Sequence, residues 1–177
     1  MWTRGRILAL TAGAAGGLML ASTAVAGDHG PEPFAVNGGG THFFSDAIVH
    51  AEEETGAGAV QQSTDTIELT GDLRGYVLYH VTSEFDYTRG RLVNTGRQFF
   101  SGSVAGSAPV VMYDDEFRFE IDLGTGETTG EVHLRRSKDA ADGHWYECDL
   151  DVVGTGVTER GDGTFTYTGT CLRRGES

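Results

Sequence analysis

Trp145 to Cys171, WYECDLDVVGTGVTERGDGTFTYTGTC, is the stretch on which the fold turns. Tyr146, Cys148, Leu150 and Val152 fall on one face and Trp145, Glu147, Asp149 and Asp151 on the other, the period of two of a half-buried strand. The return run keeps the same period, with Phe165, Tyr167, Gly169 and Cys171 on one face and Thr164, Thr166, Thr168 and Thr170 on the other. Gly161, Asp162 and Gly163 supply the turn, so the stretch reads as a two-stranded hairpin. Both cysteines lie on its apolar face, on neighbouring strands, which is the placement a disulfide requires.

Working upstream, the same period recurs between glycine turns. Pro109–Leu123 sets Phe117, Phe119 and Ile121 against Arg118, Glu120 and Asp122, and Gly130–Arg136 sets Val132 and Leu134 against Glu131, His133 and Arg135. Gly75–Tyr87 places Val77, Tyr79, Val81, Phe85 and Tyr87 together, opposite Tyr76, His80, Thr82, Glu84 and Asp86. Arg91–Val104 is a further strand whose Gly96 and Gly102 predict bulges or close backbone approach. Thr66–Thr70 is a short strand before these. Phe34–Phe44 reads as a first strand and a turn around its three glycines. Ser45–Glu54 suits a short helix capped by Ser45, although Ile48 and Val49 equally suit a strand, and Thr55–Ser63 reads as a loop. Helix and loop together would cover one mouth of a barrel.

About eight antiparallel strands in a meander must hide their edges, and closure into a barrel does so best. The expected fold is all-β, a soluble barrel over residues 34–177 with a short N-terminal helix. Membrane insertion is not expected, because the outward charges would face lipid at substantial cost.

The N-terminal segment has Arg4 and Arg6, an apolar and small-residue run, and then Ala24-Val25-Ala26, the pattern of a secretory signal over residues 1–26. Its removal leaves about 150 residues, one domain of ordinary size, preceded by a flexible leader at 27–33. Secretion to an extracellular or periplasmic space favours the Cys148–Cys171 disulfide, since the chain has only two cysteines. The formal charge of −13 becomes more negative once Arg4 and Arg6 leave, which excludes nucleic acid as a partner by repulsion.

No catalytic motif is present. The six histidines show no HExxH and no Cys/His cluster, and neither a G-x-S-x-G elbow nor a phosphate-binding glycine loop occurs, so no metal site and no cofactor are expected. The acidic groups Glu147/Asp149/Asp151 and Asp114/Asp115/Glu116 read as solvated faces, with Ca²⁺ binding as the alternative. Cleavage after Ala26 would expose Gly27-Asp28-His29, a set of nitrogens able to enclose Cu(II). Arg160-Gly161-Asp162 spells an adhesion tripeptide, but a hairpin turn explains it equally well.

Phe117–Leu134, FRFEIDLGTGETTGEVHL, runs from an aromatic strand through a Gly-Thr-Gly turn into an apolar strand, and in this it resembles the soluble barrels of the allene oxide cyclase and dirigent type. The resemblance implies a closed barrel and a cofactor-free cyclase or binding protein for a hydrophobic small molecule. No motif around a carboxylate matches that family's acidic catalytic residues, so no catalytic residue is carried over.

The expected function is therefore a secreted barrel that binds a small, largely apolar molecule in an aromatic-lined cavity. Tyr79, Phe117, Phe119, Tyr146 and Tyr167 are the expected ligand contacts, the tyrosines serving as hydrogen-bonding handles. The alternatives are a cofactor-free cyclase or isomerase using the same cavity, and an acidic surface or cation-binding structural protein with a packed interior. A cavity on the order of 300 Å³ or more separates the first two from the third.

Overall fold

The computed structural model describes residues 30–135 and 143–175. The signal segment, most of the leader with Gly27-Asp28-His29, and most of the Ser137–Gly143 turn lie outside the described residues. The described residues form nine strands: β1 (Glu32–His42), β2 (Ile48–Thr55), β3 (Gly58–Gly71), β4 (Leu73–Asp86), β5 (Arg91–Val104), β6 (Val110–Asp122), β7 (Thr128–Leu134), β8 (His144–Val157) and β9 (Gly163–Gly175). A 3-10 turn, Phe44–Asp46, sits between β1 and β2.

Every pairing is antiparallel. The order β1-β9-β8-β7-β6-β5-β4-β3 returns on itself through a β1–β3 pairing, which closes an eight-stranded barrel. β3 is long enough to serve two partners along one edge. Its Ile67–Gly71 end pairs with β1 and closes the barrel, while its Gly58–Thr64 end pairs with β2. β2 therefore lies outside the closed ring as an appended ribbon, and all eight of its residues are exposed.

Three local expectations are corrected here. Ser45–Glu54 is not a helix but a 3-10 turn followed by β2. Ser45 makes no cap; its hydroxyl is bonded to a distant residue, and the β-branched Ile48 and Val49 join a ladder that β3 offers. Most of the expected loop Thr55–Ser63 is strand: its small residues Ala59 and Ser63 are buried on one face, in phase with Asp65 and Ile67, and Gly58 lets the backbone approach that of β4 closely. The glycine triplet of β1 does not turn the chain. A Cβ on Gly38 would lie 2.3 Å from the Tyr167 hydroxyl and one on Gly40 2.4 Å from the Phe165 ring, so the glycines let β9's aromatic side chains lie across β1. β1 also begins at Glu32, inside the expected leader.

Elsewhere the period of two predicts the inward faces correctly. Val77, Tyr79 and Val81, then Phe117, then Val132 and Leu134, and finally Tyr146, Cys148, Leu150 and Val152 are all buried. Tyr87 is an exception at 62 % exposed, since β4 ends at Asp86 and the chain has already turned. Asp115 is a second: it is fully buried rather than part of an acidic surface, and its carboxylate accepts the backbone N–H of Arg135 just beyond β7.

The barrel is filled unevenly. Leu73, Phe100, Val104, Val110, Met112 and Cys171 are at most 1 % exposed and pack together toward one end. The Cys148–Cys171 disulfide is formed at this end between directly opposed residues of β8 and β9, with Cα atoms 4.0 Å apart. Outward faces carry charge: Glu120 accepts from Arg118 at 2.9 Å and pairs with Arg91, and His133 bonds Asp149 at 2.7 Å. Among the described residues no helix is long and apolar enough to cross a membrane.

Candidate ligand cavity

The other end of the barrel is hollow. A cavity of about 320 Å³ opens between the strands, walled by inward side chains that include Ile67, Leu69, Val77, Val132, Leu150 and Val152. Its mouth is framed by Phe44, Leu92, Ile121 and Val157, at the end where the 3-10 turn crosses from β1 to β2. Many of its lining positions are glycine or medium aliphatic residues, beside the Tyr79, Phe119 and Tyr167 rings, whereas the other end holds Phe100, Met112 and Leu73.

The mouth is held by a polar clasp. Asp162, in the β8–β9 turn, is only 2 % exposed and its Oδ1 accepts both the Ser45 backbone N–H (3.1 Å) and the Ser45 hydroxyl (2.8 Å). Arg160 donates to Ser45 Oγ at 2.7 Å and to Asp46 at 3.2 Å. The Ser45 N–H leads the effects that lower the Asp162 pKa, joined by the Ser45 hydroxyl, Arg160 and His42, against an opposing effect of burial. The adhesion-like tripeptide thus has its aspartate buried as an anchor rather than displayed.

Of the residues expected to contact a ligand, Tyr79, Phe119 and Tyr167 line the cavity. Phe117 does not; it stacks on Tyr79 with ring centres 4.1 Å apart and fixes that ring in place. Tyr146 lies at the opposite end of the barrel, where with Phe34, Val104 and His144 it borders a separate, more open pocket. Tyr167 is on the wall but its hydroxyl is committed: it accepts the Leu73 N–H at 2.8 Å and donates to the Thr70 carbonyl at 3.0 Å. It ties β9 to the β3–β4 turn and offers a ligand only its ring.

Other polar residues, absent from the sequence-based site, line the cavity or, as Asp65 does, stand behind its wall. His42 lines the cavity, with Nε2 2.8 Å from Asp65 Oδ2 and its ring 4.0 Å from Phe44 and 5.1 Å from Tyr79. Asp65 stands directly across the β3–β4 ladder from Tyr79. Asn94 and Gln98 line the wall from β5, and the Asn94 side chain hydrogen-bonds the Tyr79 hydroxyl. Burial first, and the Asp65 charge second, push the Tyr79 hydroxyl well above its ordinary pKa, opposed by the Asn94 bond. Tyr79 therefore stays protonated at neutral pH. Period two carries the signal for all four: His42 is in phase with Val36, Asp65 with Ile67 and Leu69, and Asn94 and Gln98 with Phe100.

Among the described residues, no group of three or more His, Cys, Asp and Glu is placed to hold a metal ion. Within the acidic ladder of β8, Asp149 is taken by His133 and Asp151 faces Glu131 across the β7–β8 pair. Compared with known proteins, the chain matches no family model and no curated protein.

Proposed function

We propose that the protein is an exported, soluble barrel that binds one small, largely apolar molecule in this cavity. A single observation carries the reading: an open, mostly apolar hollow of about 320 Å³ inside the barrel, at the small end of the range for ligand sites. An eight-stranded barrel has interior space either for its own side chains or for one small ligand. The charged outward faces support solubility, and the disulfide fits an oxidising compartment. Native mass spectrometry of protein taken from its own source is expected to show a mass excess that is lost on denaturation. Repeated preparations carrying only the polypeptide mass, together with no uptake of apolar probes, would count against it.

A second reading, a cofactor-free isomerase or cyclase, is favoured by the grouping of His42, Asp65 and Tyr79. With Asp65 ionised, His42 Nε2–H donates to it and Nδ1 keeps its lone pair. A protonated Tyr79 would polarise a substrate oxygen while His42 takes a proton from the neighbouring carbon. On this reading, 2-acetylnaphthalene incubated with the protein in D₂O gains deuterium in its methyl group faster than in buffer, and His42→Gln removes the excess. Binding without exchange leaves the first reading alone.

A further inference from the structure

Two side chains on β5 specify what the cavity accepts. Asn94 is 7 % and Gln98 2 % exposed; both line the cavity, and Asn94 Oδ1 and Gln98 Nε2 have no hydrogen-bond partner. Leaving a buried acceptor and a buried donor unmade is costly, and a ligand that supplies both partners recovers that cost on binding. The residues are four apart on one strand, about 13 Å between Cα atoms at strand rise. Between them Gly96 carries no side chain, and the Phe117 ring fills the space above it. The two polar atoms are thus separated by an apolar floor, Asn94 toward the mouth beside Leu92 and Gln98 deeper, across the ladder from Tyr79.

Charge narrows the class further. Among the described residues no Lys or Arg lines the cavity, and the one lining group able to carry positive charge, His42, is engaged by Asp65. Asp65 Oδ1 is itself buried without a partner, so the polar side of the cavity is electronegative and repels carboxylates. An ammonium would give up its hydration to mostly aliphatic walls.

Resting on the ligand-binding reading above, we infer that the ligand is an uncharged, elongate, mostly apolar molecule of hydroxy-ketone type. Its acceptor oxygen goes in first to meet the Gln98 amide, and its hydroxyl faces Asn94 Oδ1. The body between them lies over the Tyr79 ring, which Phe117 backs.

Five naphthalenes with one ring system test this by isothermal titration calorimetry at neutral pH: 6-acetyl-2-naphthol, 2-acetylnaphthalene, 2-naphthol, 2-ethylnaphthalene and 6-hydroxy-2-naphthoate. Each matched polar group is expected to tighten binding about tenfold, the equivalent of one buried hydrogen bond satisfied. The hydroxy-ketone then binds about 100-fold tighter than the hydrocarbon, and the naphthoate falls below the hydroxy-ketone by at least about tenfold. Asn94→Leu should erase the hydroxyl's advantage and keep the ketone's; Gln98→Leu should do the reverse. If either variant fails to fold, the ranking on the unaltered protein decides. Equal affinity for 2-ethylnaphthalene and 6-acetyl-2-naphthol, or tightest binding by the naphthoate, overturns this inference and leaves the cavity reading standing. Failure of all five to bind overturns both.

Discussion

Tyr167 shows how a side chain can be placed correctly by periodicity and still have its role misjudged. Its face follows from alternation with Phe165 and Cys171, but the destination of its hydroxyl depends on a turn 94 residues away in sequence, where Leu73 N–H and the Thr70 carbonyl meet it. Tyr167→Phe leaves the ring and breaks both bonds, so the buried Leu73 N–H loses its partner. Stability should fall by about 1–3 kcal/mol, measured by urea denaturation, with little change in cavity volume. An unchanged urea midpoint would show that the hydroxyl is not a structural tie. The polar residues His42, Asp65, Asn94 and Gln98 were legible in phase with apolar neighbours, yet each reads in isolation as an ordinary surface residue. Their meaning depends on convergence from β1, β3 and β5, which no local pattern contains.

At the scale of elements, the segment from Phe44 to Asp46 is where local propensity was overruled. A capped helix would have satisfied Ser45 within its own segment. Instead Asp162 takes both the N–H and the hydroxyl of Ser45 from across the mouth. Those bonds hold the Asp162 pKa below the usual value for a free aspartate, about 3.9. A depressed carboxylate contributes its stability above the unfolded value and loses it as pH falls through the folded one. The clasp should therefore be intact at neutral pH and release only below about pH 3.9. In an NMR pH titration, the Ser45 amide proton is expected to shift with a midpoint below that value, and Asp162→Asn to abolish the titration. A midpoint above it, or one that survives Asp162→Asn, would contradict the assignment.

For the whole molecule, the uneven filling of the barrel separates stability from the site. The disulfide sits with Leu73, Phe100 and Met112 at the end away from the cavity, and none of Leu73, Phe100, Met112, Cys148 and Cys171 lines it. Linking residues 23 apart in sequence restricts the unfolded chain by about 3 kcal/mol. Cys148→Ala with Cys171→Ala should lower unfolding free energy by about that amount, while the affinity for 6-acetyl-2-naphthol measured well below the melting temperature changes little. The sequence-based expectation was different, since it counted Tyr146 among the ligand contacts. Matching losses of affinity and stability in the double variant would show that the disulfide shapes the cavity.

By itself the sequence determined the all-β class, the inward and outward phase of most strands, and the partnership of the two cysteines. These follow from nearest-neighbour geometry: a pleated strand alternates its faces, and a short turn sets the register of a hairpin. Only the tertiary structure decided that β3 is shared between β1 and β2, that the glycines of β1 make room for the Tyr167 and Phe165 rings, and that one end of the barrel is hollow. Those outcomes depend on side-chain volumes summed around a closed ring and on polar atoms brought together from distant strands. The opening hairpin accordingly supplies a wall of the cavity through Leu150, Val152 and Tyr167, while its tyrosine at position 146 belongs to the opposite end.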